Sequence, residues 1–433
     1  MRPGPVSIFL LRHTRELVGA ILDRPGYPAD LTMRRYLGER KYLGGRDRRT
    51  IASLVFHTLR NVIRFDTIID RNTIREEDED AAFVALALLD FDALPDDEEL
   101  TRGLGLHAGR IRSLRTSYAA FAEYIVTLPR TEQLALRHSI PLWLVDILDE
   151  EIGEEIDDAL RALNSEARTT LRANTLLCTR EQLAAVLGER GIETEPGELA
   201  PEALYSEGRF SAGQVPQFKS GWFELQDEGS QLLGHAVDPR PNWRLFDACA
   251  GAGGKALHLA ALMRGRGEIV AHDISERRMM EMRPRLRRSG AQNIRVMQHD
   301  AYLDRREEML DTFDAVVIDA PCSGVGTLRR NPGLRLTLTP DTVRRVAEQQ
   351  RIILNEYAEL VRPGGRLFYM TCSLLRIENE EQVDHFLDHH PDWNRAPLAF
   401  DPSLLNERGE LRLWPHRHHT DGFFCAALVR GAA

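Results

Sequence analysis

The sequence predicts an α/β protein: a doubly wound, mostly parallel sheet over residues 221–433, preceded by a small α/β module over 131–220 and an all-helical region over 1–130. Three observations predict it. The runs WRLFDAC, EIVAHD, NIRVMQHD, FDAVVID and GRLFYMTC are continuous and apolar, as buried parallel strands are, and helical patterns separate them. Upstream, apolar residues recur three and four apart in RHTRELVGAILD and RDRRTIASLVFHTLRNVIRFDTIID, with arginines on the opposite faces. Between these regions, a helical stretch PLWLVDILDEEIGEEIDDALRALN leads into RTTLRANTLL, which is rich in β-branched residues.

In the helical region, Pro25-Gly26 and Gly44-Gly45 punctuate the run and divide it into separate helices. Its charge is asymmetric. Residues 1–75 carry 15 Lys/Arg against 7 Asp/Glu, whereas residues 76–100 carry 11 acids and no base. The chain's net charge of −10 hides this pattern. A basic arm facing nucleic acid and a pair of merely solvated faces both fit it.

At 433 residues the chain is too long for one ordinary core. With 43% hydrophobic and 28% charged residues it has the composition of a soluble globular protein. No apolar run approaches the roughly 18 residues of a membrane span, and the N-terminal apolar stretch is short for a signal peptide. The five cysteines are scattered, with neither C-x-x-C metal pairs nor a disulfide framework. Reduced thiols in a cytoplasmic protein without a metal site are expected, with a monomer as the expected state.

In the sheet region, Asp247, Asp273, Asp300, Asp319 and Cys372 fall at or just after strand ends. Each alone reads as a helix cap or turn residue. Together they mark one rim, where ligands of doubly wound sheets bind. GFFCAALV suits a last strand at the sheet edge. After the first strand, DACAGAGGKALHLA opens a helix whose free N–H groups suit a polar ligand, and Asp273 can accept from ribose hydroxyls. GAGGKA fits G-x-G-x-x-A, so a nicotinamide dehydrogenase enters consideration. A phosphate-binding Walker loop would need Gly at Cys249 and Ser or Thr at Ala256.

Two thiols, in DAPCSGVGTLRRNP and YMTCSLLRIEN, follow neighbouring strands. Methylating carbon 5 of a pyrimidine needs such groups. That carbon is a poor nucleophile until a thiolate adds at carbon 6, an acid must hold the ring nitrogen, and the thiolate must later be released. The residues alone leave open which thiol attacks.

ELQDEGSQLL, DACAGAGGK, AHDIS, HDA, DAPCSGVGTLRRNP, GGRLFYMTCSLLRIENE and TDGFFCAAL, in this order over residues 224–428, closely resemble the NOL/NOP/Sun (Fmu-type) family of RNA 5-methylcytosine methyltransferases. LRANTL looks like the family's small RNA-facing module, and GGRDRRTIASLVFHTLR like the NusB-like helical domain of its bacterial ribosomal RNA members. The resemblance implies a Rossmann-like domain binding S-adenosylmethionine through Cys249, Ala250, Gly251, Ala252, Gly253, Gly254, Lys255, Asp273, Asp300 and Asp319. It implies Cys372 as nucleophile, Cys322 as the group assisting release, and Asp319 at the junction of cofactor and base. Lys255 would orient the loop or a substrate phosphate. Gly251 and Ala252 stand where the family usually has Ala and Pro.

The expected function is S-adenosylmethionine-dependent methylation of cytosine C5 in RNA, with small-subunit ribosomal RNA as partner and no membrane. A non-catalytic RNA-binding or ribosome assembly factor that keeps the fold is the alternative. The basic stretch 277–288 and Arg329, Arg330 and Arg335 are candidate phosphate contacts.

Overall fold

The computed structural model describes residues 6–72, 74–91, 95–208 and 210–432. Asp92 of the acidic stretch lies outside them, as do the first five residues of the basic one. The chain forms two compact units, one of Met1–Ser165 with Leu328–Pro340, the other of Glu166–Thr327 with Asp341–Ala433. The helices between 130 and 164 therefore group with the N-terminal ones, and the strands that follow group with the large sheet.

The first unit is helical, opening with Ile8–Leu22, Ala29–Glu39, Gly45–Arg60 and Val62–Asp70. Ser7 starts the first helix by accepting the Leu10 N–H at 3.4 Å. At the centre lies Glu79–Asp90, whose residues Ala81 to Leu88 are all buried, as a helix apolar on every face must be. Its acidic flanks meet the basic segment, Arg15 pairing with Asp80 at 3.0 Å and Arg64 with Asp90 at 2.6 Å, while Asp78 pairs with Arg110 further along the chain. Part of the charge asymmetry is thus complementarity within the unit.

Segment 328–340 corrects one expectation. Arg335 is buried and donates to the Ser139 carbonyl at 2.9 Å and to Asn164 Oδ1 at 2.8 Å. Burial pulls its guanidinium down to about 9, with Arg60 adding to the effect. Arg329 is buried as well, and its carbonyl accepts from Arg60 at 2.7 Å. Neither arginine is presented to phosphates.

Among its described residues the second unit carries twelve strands: β1 Thr169–Ala173, β2 Thr194–Pro196, β3 Ala203–Ser206, β4 Phe223–Leu225, β5 Arg244–Asp247, β6 Glu268–His272, β7 Ile294–Met297, β8 Phe313–Asp319, β9 Val361–Thr371, β10 Trp393–Ala396, β11 Leu411–Leu413 and β12 Phe423–Arg430. The first four form an antiparallel sheet in the order β2-β3-β1-β4. The large sheet runs β10-β12-β9-β8-β5-β6-β7, with β11 paired to β12. Its β7, β6, β5, β8 and β9 are parallel, so their carboxyl ends share one rim. One expectation fails here. β12 is not an edge strand but lies antiparallel between β9 and β10. Its residues Phe423 to Leu428 are all buried, which fits a strand paired on both sides.

Glu224 of β4 ties the small sheet to the helix Glu276–Ser289. Its buried carboxylate accepts from Arg285 at 3.1 Å and from Arg288 at 2.5 Å, and Arg288 stacks over Phe218. These two members of the 277–288 stretch are engaged internally rather than offered to phosphates. Glu224→Ala should leave two guanidinium groups uncompensated and lower stability by about 3 kcal/mol, the low end for a broken buried pair because the arginines keep some solvent contact. Urea unfolding checks this, and a loss near zero would mean that water already screens the pair.

Candidate active site

The chain leaves β5 at Asp247 and turns through Cys249 to Gly253 before the helix Gly254–Leu262 begins. Gly251 (φ +54°) and Gly253 (φ +84°) take left-handed conformations that favour glycine. At Gly253 a Cβ would also lie 2.5 Å from Met282 Cγ, so the position has no room for a side chain. The Ala250 N–H donates to the His272 carbonyl at 2.8 Å, which pins the turn to the end of β6. Asp273 fixes it further, accepting the Gly251 N–H at 2.8 Å and the Ser275 N–H at 2.7 Å. Two arginines support the loop from behind. Arg285 donates to the Ala252 carbonyl at 2.8 Å, and Arg172 of β1 to the Gly254 carbonyl at 2.9 Å.

Inside this turn Asp247 is fully buried, and among the described residues no donor meets either oxygen in full hydrogen-bonding geometry, the Cys249 N–H only approaching it. Burial pushes its carboxyl up to about 7; Asp319 and Asp273 add to the rise, while Lys255 and the Cys249 N–H oppose it. A buried carboxylate without donors is costly unless something polar reaches it. The expected cofactor, with its ribose hydroxyls and its positive charge, fits that requirement.

Asp319 ends β8 and accepts from Lys255 Nζ at 2.5 Å. Burial works against the Lys255 ammonium, but Asp319, Cys372 and Asp247 outweigh it and raise its pKa. In the structure Lys255 is thus the partner of Asp319.

Beyond β8 and β9 the two thiols meet, with Cys322 Sγ and Cys372 Sγ 3.2 Å apart, both reduced and half-buried. The hydrogen bond with Cys372, burial and the Glu378 charge all hold the Cys322 thiol well above its usual range. Beneath them lies the fully buried Glu378. Its carboxylate accepts the Ser323 N–H at 2.7 Å and the hydroxyls of Ser323 and Ser373.

Cys249, Gly251, Lys255, Asp273, Asp319, Cys322 and Cys372 thus lie along one rim, linked through these contacts. Asp300 is exposed in the first turn of the helix His299–Met309, and among the described residues no hydrogen bond or ion pair ties it to them. Sequence reasoning missed Arg172, Glu224 and Glu378, although LRANTL and RIENE contain two of them. It also missed Glu202, His235 and His258, which among the described residues form a group able to hold a metal ion. There the His235 ring bonds Glu202 at 2.8 Å, and His258 is kept neutral by burial, with Arg172 acting in the same sense.

Residues 235–429 match the family described as 16S rRNA methyltransferase RsmB/F, and residues 140–211 match the ferredoxin-like domain of Methyltr_RsmF/B-like proteins. The chain is 30% identical over 407 residues to a protein of Synechocystis sp. named probable ribosomal RNA small subunit methyltransferase B, covering 89% of this chain and 91% of that one. A Bacillus subtilis protein of the same name is 34% identical over 304 residues, covering 68% of this chain and 67% of its own. Among solved structures, PH0851 superposes with a TM-score of 0.81 at 28% identity, covering 96% of this chain and 98% of its own. A methyltransferase homolog from Pyrococcus horikoshii gives 0.61 at 30% identity, covering 70% and 99%. With matches of this extent along nearly its whole length, the chain belongs to the RsmB/F family of 16S rRNA methyltransferases, within the Sun (Fmu) group.

Proposed function

We propose that this protein methylates carbon 5 of a cytosine in small-subunit ribosomal RNA through a covalent Cys372–carbon 6 adduct. The observation that carries this reading is the meeting of two reduced thiols 3.2 Å apart beside Asp319. S-adenosylmethionine, the cofactor of this methyltransferase family, supplies an electrophilic methyl group when bound. The loop 249–255 and Asp273 would hold it, with Asp247 as the buried acid of its pocket.

The target base must leave its stack to reach the rim. Asp319, anchored through one oxygen by Lys255, would turn the other to the base, accepting from its amino group and holding the proton that the ring nitrogen takes up as the thiolate adds. The Lys255 ammonium lies within electrostatic reach of the Cys372 sulfur. The thiolate adds to carbon 6, and the electron pair shifts through carbon 5 to form the bond to the methyl group. Water takes the carbon 5 proton, the electron pair of that bond restores the carbon 5–carbon 6 double bond, and the carbon 6–sulfur bond breaks to return the Cys372 thiolate, to which the neighbouring Cys322 thiol can donate. Cys322, held protonated beside it, is a poor nucleophile and well placed to exchange a proton during release. Among the described residues no helix is long and apolar enough to cross a membrane; separately, the free thiols suit a reducing, cytoplasmic setting, which with a monomeric state is part of this proposal. Bisulfite sequencing of small-subunit RNA incubated with protein and cofactor tests the product; no protected cytosine would reject it.

The two thiols separate by substitution. Cys372→Ala should form no denaturation-resistant RNA complex and transfer no methyl group. Cys322→Ala should add to the base, take the methyl group and stall, accumulating a protein–RNA adduct on denaturing gels. The opposite pattern would exchange the roles.

Asp273→Ala removes an acceptor for ribose hydroxyls and releases the Gly251 N–H. Cofactor affinity should fall roughly ten- to a hundredfold, equivalent to about 1.5–3 kcal/mol, by calorimetry. Unchanged affinity would remove Asp273 from the pocket.

Asp247 predicts a pH dependence of the ligand-free protein. Its carboxyl titrates near 7 when folded and near 3.8 ordinarily, so the folded state binds the proton more tightly. The contribution is fully present below the ordinary value and is lost as pH rises towards and through about 7. Asp247→Asn, neutral throughout, should flatten this decline in thermal unfolding midpoints between pH 5 and 8. Parallel curves for the two proteins would count against the shift.

A further inference from the structure

We propose that Glu378 is a positioning residue that clamps the two thiol-bearing loops together and so sets the spacing between Cys322 and Cys372. The inference rests on the proposed two-thiol reaction and adds a residue to it.

Glu378 ends the short turn Arg376–Glu378, and its side chain is fully buried. A buried carboxylate needs donors for its roughly four lone-pair sites. They come from both loops. Oε1 takes the Ser323 N–H at 2.7 Å and the Gln350 amide at 3.3 Å, while Oε2 takes the Ser323 and Ser373 hydroxyls. Ser323 follows Cys322 and Ser373 follows Cys372, so one carboxylate bridges the residues next to each sulfur. Gln350 extends the clamp, donating also to the carbonyl of Pro321, the residue before Cys322, at 2.8 Å.

The clamp is itself anchored. Tyr369, near the end of β9, donates its hydroxyl to the Glu378 carbonyl at 2.7 Å. The neighbouring Asn379 accepts from Thr371 and donates to the Ser373 carbonyl at 3.0 Å. The Thr371-Cys372-Ser373 turn is therefore fixed on both sides. The negative charge also reaches Cys322 and favours its protonated form, as a proton-exchanging partner requires.

The test combines Glu378→Gln, which keeps size but removes the charge and one acceptor, with Glu378→Asp, which keeps the charge on a shorter arm. Turnover on RNA should fall about a hundredfold in Glu378→Gln, the cost of misplacing reacting groups by about 1 Å, while KM for RNA and cofactor stays near the parental value. Glu378→Asp should recover part of the rate. A second readout needs no RNA. Diamide takes two electrons and two protons from the thiols, and closure of the Cys322–Cys372 disulfide should be fast in the parent and slower in both variants. Should Glu378→Gln not fold, Ser323→Ala with Ser373→Ala removes the two hydroxyl donors and should slow closure in the same way. Parental closure rates and turnover in folded variants would overturn the proposal. So would a loss of thermal stability with unchanged closure, which marks a merely structural role. Failure of the two-thiol reaction would show separately, as absence of an adduct in Cys322→Ala, whatever the closure rates.

Discussion

The site depends on the parallel pairing of β8 with β9. Their ladder sets Ile318 opposite Tyr369 and Asp319 opposite Met370, so both strands end at one level and their loops leave the same rim. The register is fixed by burial: Val316, Val317, Ile318, Leu367, Phe368 and Tyr369 are all fully inside, on both faces of the sheet. A slip of one residue would exchange those faces and carry Asp319 away from Lys255. A third segment of the chain secures the level. After Thr420-Asp421 the backbone passes so close that the Gly422 N–H reaches the Gly326 carbonyl at 2.8 Å, and the Gly326 N–H reaches the Cys372 carbonyl at 3.0 Å. A Cβ on Gly326 would lie 2.2 Å from the Gly422 oxygen, so this crossing admits only glycine.

Much of this was legible in the sequence because parallel strands announce themselves by continuous apolar runs, and FDAVVID and GRLFYMTC do so. The strand-end residues Asp247, Asp273, Asp319 and Cys372 follow from those runs by position alone. What stayed hidden depends on pairing across long separations. Glu378 has its partners 5 and 55 residues away and sits in a short turn that reads as an ordinary helix start. Arg285 and Arg288 looked like a phosphate-facing stripe because Glu224 lies 61 and 64 residues upstream in another sheet. Arg335 likewise finds Ser139 across 196 residues. Charge patterning along a chain shows which residues are charged, not which are already paired.

The place of β12 was misread for a related reason. Being last in the chain suggested an edge, but edge or interior is set by hydrogen-bonding neighbours rather than by order. FFCAAL carried a usable signal, since a strand apolar at successive positions is covered on both faces. The antiparallel insertion of β12 beside β9 turned that signal into the crossing that holds Gly326 and Cys372.

The electrostatics of the rim give the thiols different characters. Asp247, Asp273 and Asp319 surround Cys249, and with burial they push its thiol well above the usual range. Cys322 is pushed the same way by Cys372, burial and Glu378. Thiolate formation at either would place a second negative charge in a poorly solvated space. The Lys255 ammonium that holds Asp319 also lies within electrostatic reach of Cys372. A single lysine thus couples the acid that would face the base to the sulfur that would attack it. Two of the acids that raise the Cys249 thiol, Asp247 and Asp319, also keep that lysine charged.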